Sequence, residues 1–83
     1  MSDTLARVKK VTAEVLKIDT SKIKDNSHFI KDLGAESIQS IELVAAFEEE
    51  FAIEMDEDAA LSVSNIDGAV KFIDKVIAEQ SGK

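Results

Sequence analysis

Apolar residues recur at helical spacing along most of the chain, and alternating runs typical of strands are missing. The first such stretch predicts a helix from about Asp3 to Ile18. Its apolar stripe consists of Leu5, Val8, Val11, Val15 and Leu16. The second stretch predicts a helix from Ser37 to Phe51. Its apolar face consists of Ile38, Ile41, Leu43, Val44, Phe47 and Phe51.

Two further helical segments are predicted near the end of the chain. A short turn of helix is expected at about Asp56 to Leu61, and a last helix begins near Ser64 or Asn65 and ends near Gln80. Ser64 and Asp67 have the spacing of a capping box, which makes Ser64 the predicted N-cap. The buried stripe of this helix is Ile66, Ala69, Val70, Ile73, Val76 and Ile77. The pattern predicts an all-α four-helix bundle of three longer helices and one short helix.

A long loop, from about Asp19 to Glu36, joins the first two predicted helices. Asp19-Thr20-Ser21 is expected to end the first helix. Loops of this length are usually functional or disordered. Four apolar residues favour an ordered loop pinned to the core: Ile23, Phe29, Ile30 and Leu33. Gly34 allows a sharp backbone turn before the second helix.

Length and composition narrow the classes of protein. At 83 residues the chain is expected to be one domain, spanning 1–83, with a modest core and little room for a deep catalytic cleft. Because it has no cysteine, disulfides and thiolate metal sites are excluded. No signal peptide is recognised, and no apolar run approaches the ~18 residues of a membrane span. A cytoplasmic location is therefore expected.

Acidic residues are concentrated in the middle of the chain. Residues 32–70 contain eleven Asp or Glu and no Lys or Arg, whereas residues 1–31 contain seven Lys or Arg and four acids. Such a segment repels nucleic acid and anionic membranes and attracts basic protein surfaces. A role in solubility alone is the alternative explanation. With this charge the protein is expected to be a monomer.

Ser37 is the candidate for chemistry, at the start of the second predicted helix. A serine there is normally a cap, whose oxygen accepts a free backbone N–H. The same position suits a phosphate ester, because backbone N–H groups point at it and the helix dipole favours negative charge by about 0.3–1 kcal/mol. The residues alone leave both roles open.

The run Asp32-Leu33-Gly34-Ala35-Glu36-Ser37-Ile38 resembles the Asp-Leu-Gly-Ala-Asp-Ser-Leu signature of acyl carrier proteins. The resemblance extends from about residue 3 to 78 and includes the stretches 7–11, 29–34, 42–44, 47–51, 56–59 and 65–70. The chain departs from the family pattern at four positions: Glu36, Ile38, Gln39 and Asp56. These departures leave open whether it is a housekeeping fatty-acid carrier or a specialised one.

The resemblance implies a non-catalytic carrier. A phosphopantetheinyl transferase, which supplies the catalysis and Mg²⁺, would transfer 4′-phosphopantetheine from coenzyme A to Ser37. The thiol of that arm would carry acyl groups as thioesters between enzymes of fatty-acid or related lipid or polyketide biosynthesis. The expected partners are acyl-loading and acyl-transferring enzymes with basic docking surfaces.

The resemblance also implies a docking surface and a cargo cavity. The residues mapped to the docking surface, named here the partner face, are Glu36, Ile38, Gln39, Ile41, Glu42, Ala45, Glu48, Glu49, Met55, Asp56, Glu57 and Val63. The candidates to line an acyl cavity are Phe29, Leu43, Val44, Phe47, Ala60, Leu61 and Ile73. An ordinary packed core is the alternative for the second group.

Other functions remain as alternatives. Catalysis is disfavoured because His28 is the only histidine and has no evident nucleophile beside it. Asp56-Glu57-Asp58 lacks the spacing of an EF-hand loop, so no metal site is predicted. An unmodified acidic adaptor would use Ser37 only as a cap. An aminoacyl or peptidyl carrier would keep the arm and change the cargo.

Overall fold

The computed structural model describes residues 3–81, most of which lie in four helices: α1 (Asp3–Leu16), α2 (Ser37–Phe51), α3 (Glu57–Leu61) and α4 (Ile66–Ser81). A 3₁₀-helix, Thr20–Lys22, lies in the loop between α1 and α2. Within residues 3–81 no strand forms, and one isolated bridge joins His28 to Asn65. The predicted bundle of three longer helices and one short helix, with an ordered loop after the first, is confirmed.

The core lies where α1 packs against α2 and α4. The predicted stripes supply it, chiefly through Val8, Val11, Leu43, Phe47, Ile66, Ala69 and Ile73. Ile38 and Ile41 are exceptions, with 64% and 49% of their surfaces exposed. At 3.6 residues per turn, Ile38 lies about 180° around the helix from Phe47. Although they belong to the apolar face of α2, they are not part of the core, and their exposure agrees with their mapping to the partner face.

Helix α1 ends at Leu16, two residues before the predicted Ile18. Lys17 adopts the left-handed conformation, with φ of 58°, and the Ile18 N–H donates to the Ala13 carbonyl at 3.0 Å. This is a Schellman ending, in which the residue after the turn packs back on the helix. Helix α2 ends in the same way at Ala52, with φ of 54°. Neither position is a glycine, so the usual sequence signal is absent.

The loop between α1 and α2 is pinned by some of the predicted anchors. Ile23 and Phe29 are buried and Leu33 is half-buried, but Ile30 is 55% exposed, so its prediction as an anchor was wrong. Asp19 does not end α1. Its Oδ1 accepts the Ser21 N–H at 3.0 Å and caps the 3₁₀-helix, and this hydrogen bond lowers the pKa of the Asp19 carboxyl.

Helix α4 begins at Ile66, and Asn65 is its cap. The Asn65 Oδ1 accepts the Gly68 N–H at 2.7 Å, whereas Ser64 uses its backbone carbonyl to accept the Phe29 N–H. The predicted Ser64 cap was therefore wrong by one residue. Gly68 matters to this cap because a Cβ at that position would lie 2.9 Å from the Asn65 Oδ1.

Replacing Asn65 with alanine is expected to lower the free energy of unfolding by about 1 kcal/mol, because the Gly68 N–H loses its acceptor. Urea denaturation measures the effect. Asn65→Ser is the matched control, since its hydroxyl can accept the same N–H. Equal losses in the alanine and serine variants would contradict the assignment of Asn65 as the cap.

Candidate functional site

The segment that leads into α2 is a closed turn. The Gly34 N–H donates to the Ile30 carbonyl at 3.1 Å, and the Ala35 N–H donates to the Phe29 carbonyl at 2.9 Å. Gly34 has φ of +74°, which L side chains rarely adopt, so a glycine is needed at this reversal. Because Ala35 is then buried, the chain is anchored two residues before Ser37.

Ser37 is the first residue of α2, and it is not the cap. Glu36 occupies the N-cap position, and its N–H donates to the Gln39 Oε1 at 2.9 Å, as in a capping box. Ser37 is exposed, and within the described part of the chain its Oγ makes no hydrogen bond. Glu36 and Gln39 therefore cap α2, and the Ser37 hydroxyl, which was the alternative candidate for the cap, is available for modification.

An apolar cavity of about 110 Å³ lies between the loop, α2, α3 and α4. All seven residues predicted to line a cavity do so. The lining also contains eight residues that the prediction did not include: His28, Ile30, Ser40, Met55, Val63, Ser64, Ala69 and Phe72. The exposed side chains of Ile30 and Leu61 mark where the cavity reaches the surface.

The cavity is close to Ser37 along α2. Ser40 lines it and lies one turn after Ser37, about 4.5 Å along the helix axis. For comparison, an apolar cavity of about 150 Å³ stays dry and can bind a benzene molecule. By proportion this cavity has room for roughly four aliphatic carbons without rearrangement.

The residues of the predicted partner face differ in exposure. Those that are exposed are Glu36, Ile38, Ile41, Glu42, Ala45, Glu49, Asp56 and Glu57. Gln39, Glu48, Met55 and Val63 are half-buried. Two of these, Met55 and Val63, also line the cavity, so the same residues border both the surface and the interior.

The exposed acids of this face have no basic partner within the molecule. Among residues 3–81, no Lys or Arg forms an ion pair with Glu36, Glu42, Glu49, Asp56 or Glu57. By contrast, the neighbouring Glu50 pairs with Arg7 at 2.8 Å, on the far end of α2 where Arg7 also lies over the Phe51 ring. The acids near Ser37 therefore project an uncompensated negative potential.

Glu48 has a different role from the other acids. Its Oε2 accepts the Met55 N–H at 2.8 Å and so fastens the segment between α2 and α3 onto α2. Because Met55 lines the cavity, this hydrogen bond holds one wall of the cavity in place. The sequence assigned Glu48 only to docking, since nothing in the spacing of 48 and 55 signals a backbone contact.

Glu48→Ala is expected to lower the free energy of unfolding by about 1.5–3 kcal/mol, because the Met55 N–H loses a charged acceptor. Glu48→Gln keeps a carbonyl acceptor at the same place and is expected to cost less than about 1 kcal/mol. Urea denaturation of the two variants distinguishes the contribution of the hydrogen bond to the free energy of unfolding from that of the negative charge. Equal losses would contradict the role of Glu48 as an anchor for Met55.

A comparison with protein families matches residues 6–73 to the model described as "Phosphopantetheine attachment site". The match includes Ser37 and every residue that lines the cavity. This chain belongs to the phosphopantetheine attachment site family. Proteins of this family are carriers that hold 4′-phosphopantetheine covalently, which confirms the predicted cofactor and the resemblance to acyl carrier proteins.

The geometry of this attachment domain fits that group. A phosphodiester requires an accessible hydroxyl, and Ser37 supplies one with no competing hydrogen bond in the described residues. The N–H groups of the first turn of α2 lack partners within the helix, as at every helix start, and can donate to a phosphate. The chain has no cysteine, so a thiol at this site comes from the cofactor.

Of the helices in residues 3–81, none has the length and apolar character to cross a membrane. Over the same residues, no group of three His, Cys, Asp or Glu side chains is arranged to hold a metal ion. His28 uses its ring to accept backbone N–H groups in the loop.

Proposed function

We propose that the protein is an acyl carrier protein in which Ser37 bears 4′-phosphopantetheine and the chain as a whole, residues 1–83, acts as one non-catalytic carrier domain. The observation that supports this proposal most is the free, exposed Oγ of Ser37 at the first position of α2, inside a match to the attachment family. Glu36 and Gln39, which depart from the family pattern, are compatible with attachment at Ser37, because they form the capping box of α2 and the Ser37 hydroxyl is not needed as the cap.

The modification itself is a phosphoryl transfer. The Ser37 Oγ forms a bond to the phosphorus that carries the pantetheine, and the bond from that phosphorus to the adenosine 3′,5′-bisphosphate half of coenzyme A breaks. A base of the phosphopantetheinyl transferase receives the serine proton. The contribution of this chain is to present the hydroxyl without an internal hydrogen bond and to offer N–H groups to the new phosphate.

An aliphatic acyl group is the cargo that the cavity supports best. Its walls come from Leu, Val, Ile, Phe, Met and Ala side chains, and its few polar groups belong to His28, Ser40 and Ser64. A charged amino group of an aminoacyl cargo would lose its hydration there without a partner. The cavity therefore favours acyl groups of fatty-acid or related lipid biosynthesis over aminoacyl or peptidyl cargo.

The partner face supports transient docking to basic enzymes. Its unpaired acids would steer Lys- and Arg-rich surfaces toward Ser37, and such rim charges chiefly raise the association rate. Ile38 and Ile41, which are exposed beside the acids, would supply apolar contact at the centre. The proposal includes a monomer that works in the cytoplasm with a transferase and several acyl-handling enzymes.

An intact mass spectrum tests the attachment. The protein is incubated with coenzyme A, Mg²⁺ and a broad-specificity phosphopantetheinyl transferase, and a gain of one phosphopantetheine is expected. A reaction without transferase is the control, since the chain should not modify itself. If no transferase, including those of the source organism, modifies the folded protein, the carrier proposal fails and an acidic adaptor becomes the better account.

A further inference from the structure

The start of α2 does not follow the intrinsic cap preferences of its residues. Serine is among the residues most favoured at an N-cap, and glutamate is not. A helix that began one residue later, at Ile38, would have Ser37 as its N-cap, and the Ser37 Oγ would accept a backbone N–H of the first turn. The structure has the earlier start, because Glu36 has extended backbone angles, φ of −88° and ψ of 165°, and Ser37 is already helical. Another contact therefore decides where α2 begins.

Gln39 makes that contact. Its Oε1 accepts the Glu36 N–H at 2.9 Å, as the third helical residue does in a capping box. The Glu36 carbonyl accepts the Ser40 N–H at 3.0 Å, which is the hydrogen bond that an N-cap carbonyl makes in a helix. Both hydrogen bonds require the helix to begin at Ser37. If it began at Ile38, Gln39 would be the second helical residue and out of register with Glu36.

The backbone before Ser37 is also held from the other side. Ala35 is 5% exposed, and its N–H donates to the Phe29 carbonyl at 2.9 Å. Glu36 alone lies between this buried anchor and Ser37, so its two backbone angles set the direction in which α2 leaves the loop. Because Gln39 holds the Glu36 N–H, it restricts those angles and with them the place of the Ser37 hydroxyl.

Gln39 also differs from its neighbours on the partner face. It is half-buried, whereas Glu36, Ile38, Ile41 and Glu42 are exposed. Its side-chain oxygen is already occupied by a backbone N–H of its own helix start. The resemblance mapped this residue to docking, but its hydrogen bond gives it a role inside the chain.

We propose that Gln39 is a positioning residue for the attachment at Ser37. By holding the Glu36 N–H, it fixes the start of α2 at Ser37, and so prevents the serine from becoming the N-cap and spending its Oγ on a backbone N–H. The Oγ then remains free to attack the phosphorus of coenzyme A. The effect on modification rests on the proposed carrier function, whereas the effect on the start of the helix does not.

The rate of modification tests the proposal, measured as kcat/KM of a broad-specificity phosphopantetheinyl transferase with the full folded chain as its substrate. Gln39→Ala is expected to lower kcat/KM by about two- to fivefold, because a lost cap shifts the equilibrium between two helix starts by a factor of this order. Gln39→Glu keeps an oxygen that can accept the Glu36 N–H, so it should not fall below the parent. An unchanged kcat/KM in Gln39→Ala, or an equal loss in Gln39→Glu, would overturn the proposal.

A double variant separates positioning from direct contact between Gln39 and the transferase. Aspartate is a strong N-cap by itself, so Glu36→Asp combined with Gln39→Ala should restore both the helix start and kcat/KM, although residue 39 is still alanine. Glu36→Asp alone is the matched control for the change at the cap. If the double variant stays as slow as Gln39→Ala, the positioning role is wrong, and Gln39 acts on the transferase directly.

NMR of the unmodified chain tests the helix start without an enzyme. The Cα and Cβ chemical shifts of Ser37 are expected to move from helical values in the parent toward N-cap values in Gln39→Ala, and to return in the double variant. Shifts that stay helical in Gln39→Ala would overturn the proposal. A parent chain that no transferase modifies would instead contradict the proposed function, and the Ser37 shifts, which do not involve phosphopantetheine, would still decide the role of Gln39 at the helix start.

Discussion

Ser37→Ala is expected to abolish the gain of phosphopantetheine completely, because alanine offers no oxygen for the new phosphoester. The same change should leave the fold intact. Ser37 is exposed and its Oγ makes no hydrogen bond within residues 3–81, so the free energy of unfolding should change by less than about 0.5 kcal/mol. Intact mass and urea denaturation of the same preparation measure both expectations.

Ser40→Ala is the matched control for this experiment. Ser40 lies on the same helix one turn later, and its Oγ contacts the Glu36 carbonyl at 3.5 Å, so it is a second hydroxyl close to the start of α2. We expect this variant to accept one phosphopantetheine as the parent does. Modification of Ser37→Ala would show that Ser37 is not the attachment residue, and loss of modification in both variants would show that the loss is not specific to the Ser37 hydroxyl.

The helices were predictable because their apolar residues recur at helical spacing and so form a broad apolar face on each helix. α2 was predicted from Ser37 to Phe51 and has those bounds. An error arose where the apolar character of a residue conflicts with its position in the loop. Ile30 is as apolar as a core residue, yet its backbone position directs it to the surface, whereas the exposed Ile38 and Ile41 lie on the partner face to which the resemblance maps them.

Boundaries and caps were less predictable, since the local signals were ambiguous or absent. Lys17 and Ala52 take the left-handed conformation that usually belongs to glycine, so neither helix end was marked in the sequence. Ser64 and Asn65 are both good caps, and the choice falls on Asn65 because the Ser64 backbone is already engaged with Phe29. That contact joins residues distant in sequence and has no local signature.

Some residues of the candidate site were predictable from the sequence, and others were not. The attachment segment and seven cavity residues followed from the resemblance, whose motif is contiguous in sequence. The acceptor roles of His28 and Glu48 did not, because each depends on a backbone N–H that only the folded loop brings to it. Side-chain caps on irregular segments are a class of contact that periodicity does not reveal.

Ile73→Ala is expected to have the largest effect on stability. Ile73 is 1% exposed and packs in the core cluster as well as lining the cavity, so its removal both loses burial and enlarges an existing void. Such substitutions lower the free energy of unfolding by about 2–5 kcal/mol. Because small domains often have total stabilities near the lower end of about 5–15 kcal/mol, the variant should be partly unfolded under mild conditions.

Ile73→Val is the graded control, with an expected loss of about 0.5–1.5 kcal/mol, and urea denaturation measures both variants. A loss below about 1 kcal/mol for the alanine variant would contradict the packing of Ile73 between α4 and the cavity.

If the cavity holds acyl cargo, the stability of the Ile73 variants should depend on the acyl group they carry. An acyl chain that binds inside the folded protein stabilises the folded state. The larger void of Ile73→Ala has more room for such a chain than the cavity of the parent.

The acyl-loaded forms test that link directly. Loading the modified protein with an eight-carbon acyl group should raise the Tm of Ile73→Ala more than that of the parent, because the added volume restores contacts that the substitution removed. A four-carbon acyl group fits the parent cavity by volume, so the difference in Tm increase between Ile73→Ala and the parent should be smaller with this group. Equal shifts for both chain lengths in both proteins would mean that the cargo lies outside the cavity, while the attachment at Ser37 would be unaffected.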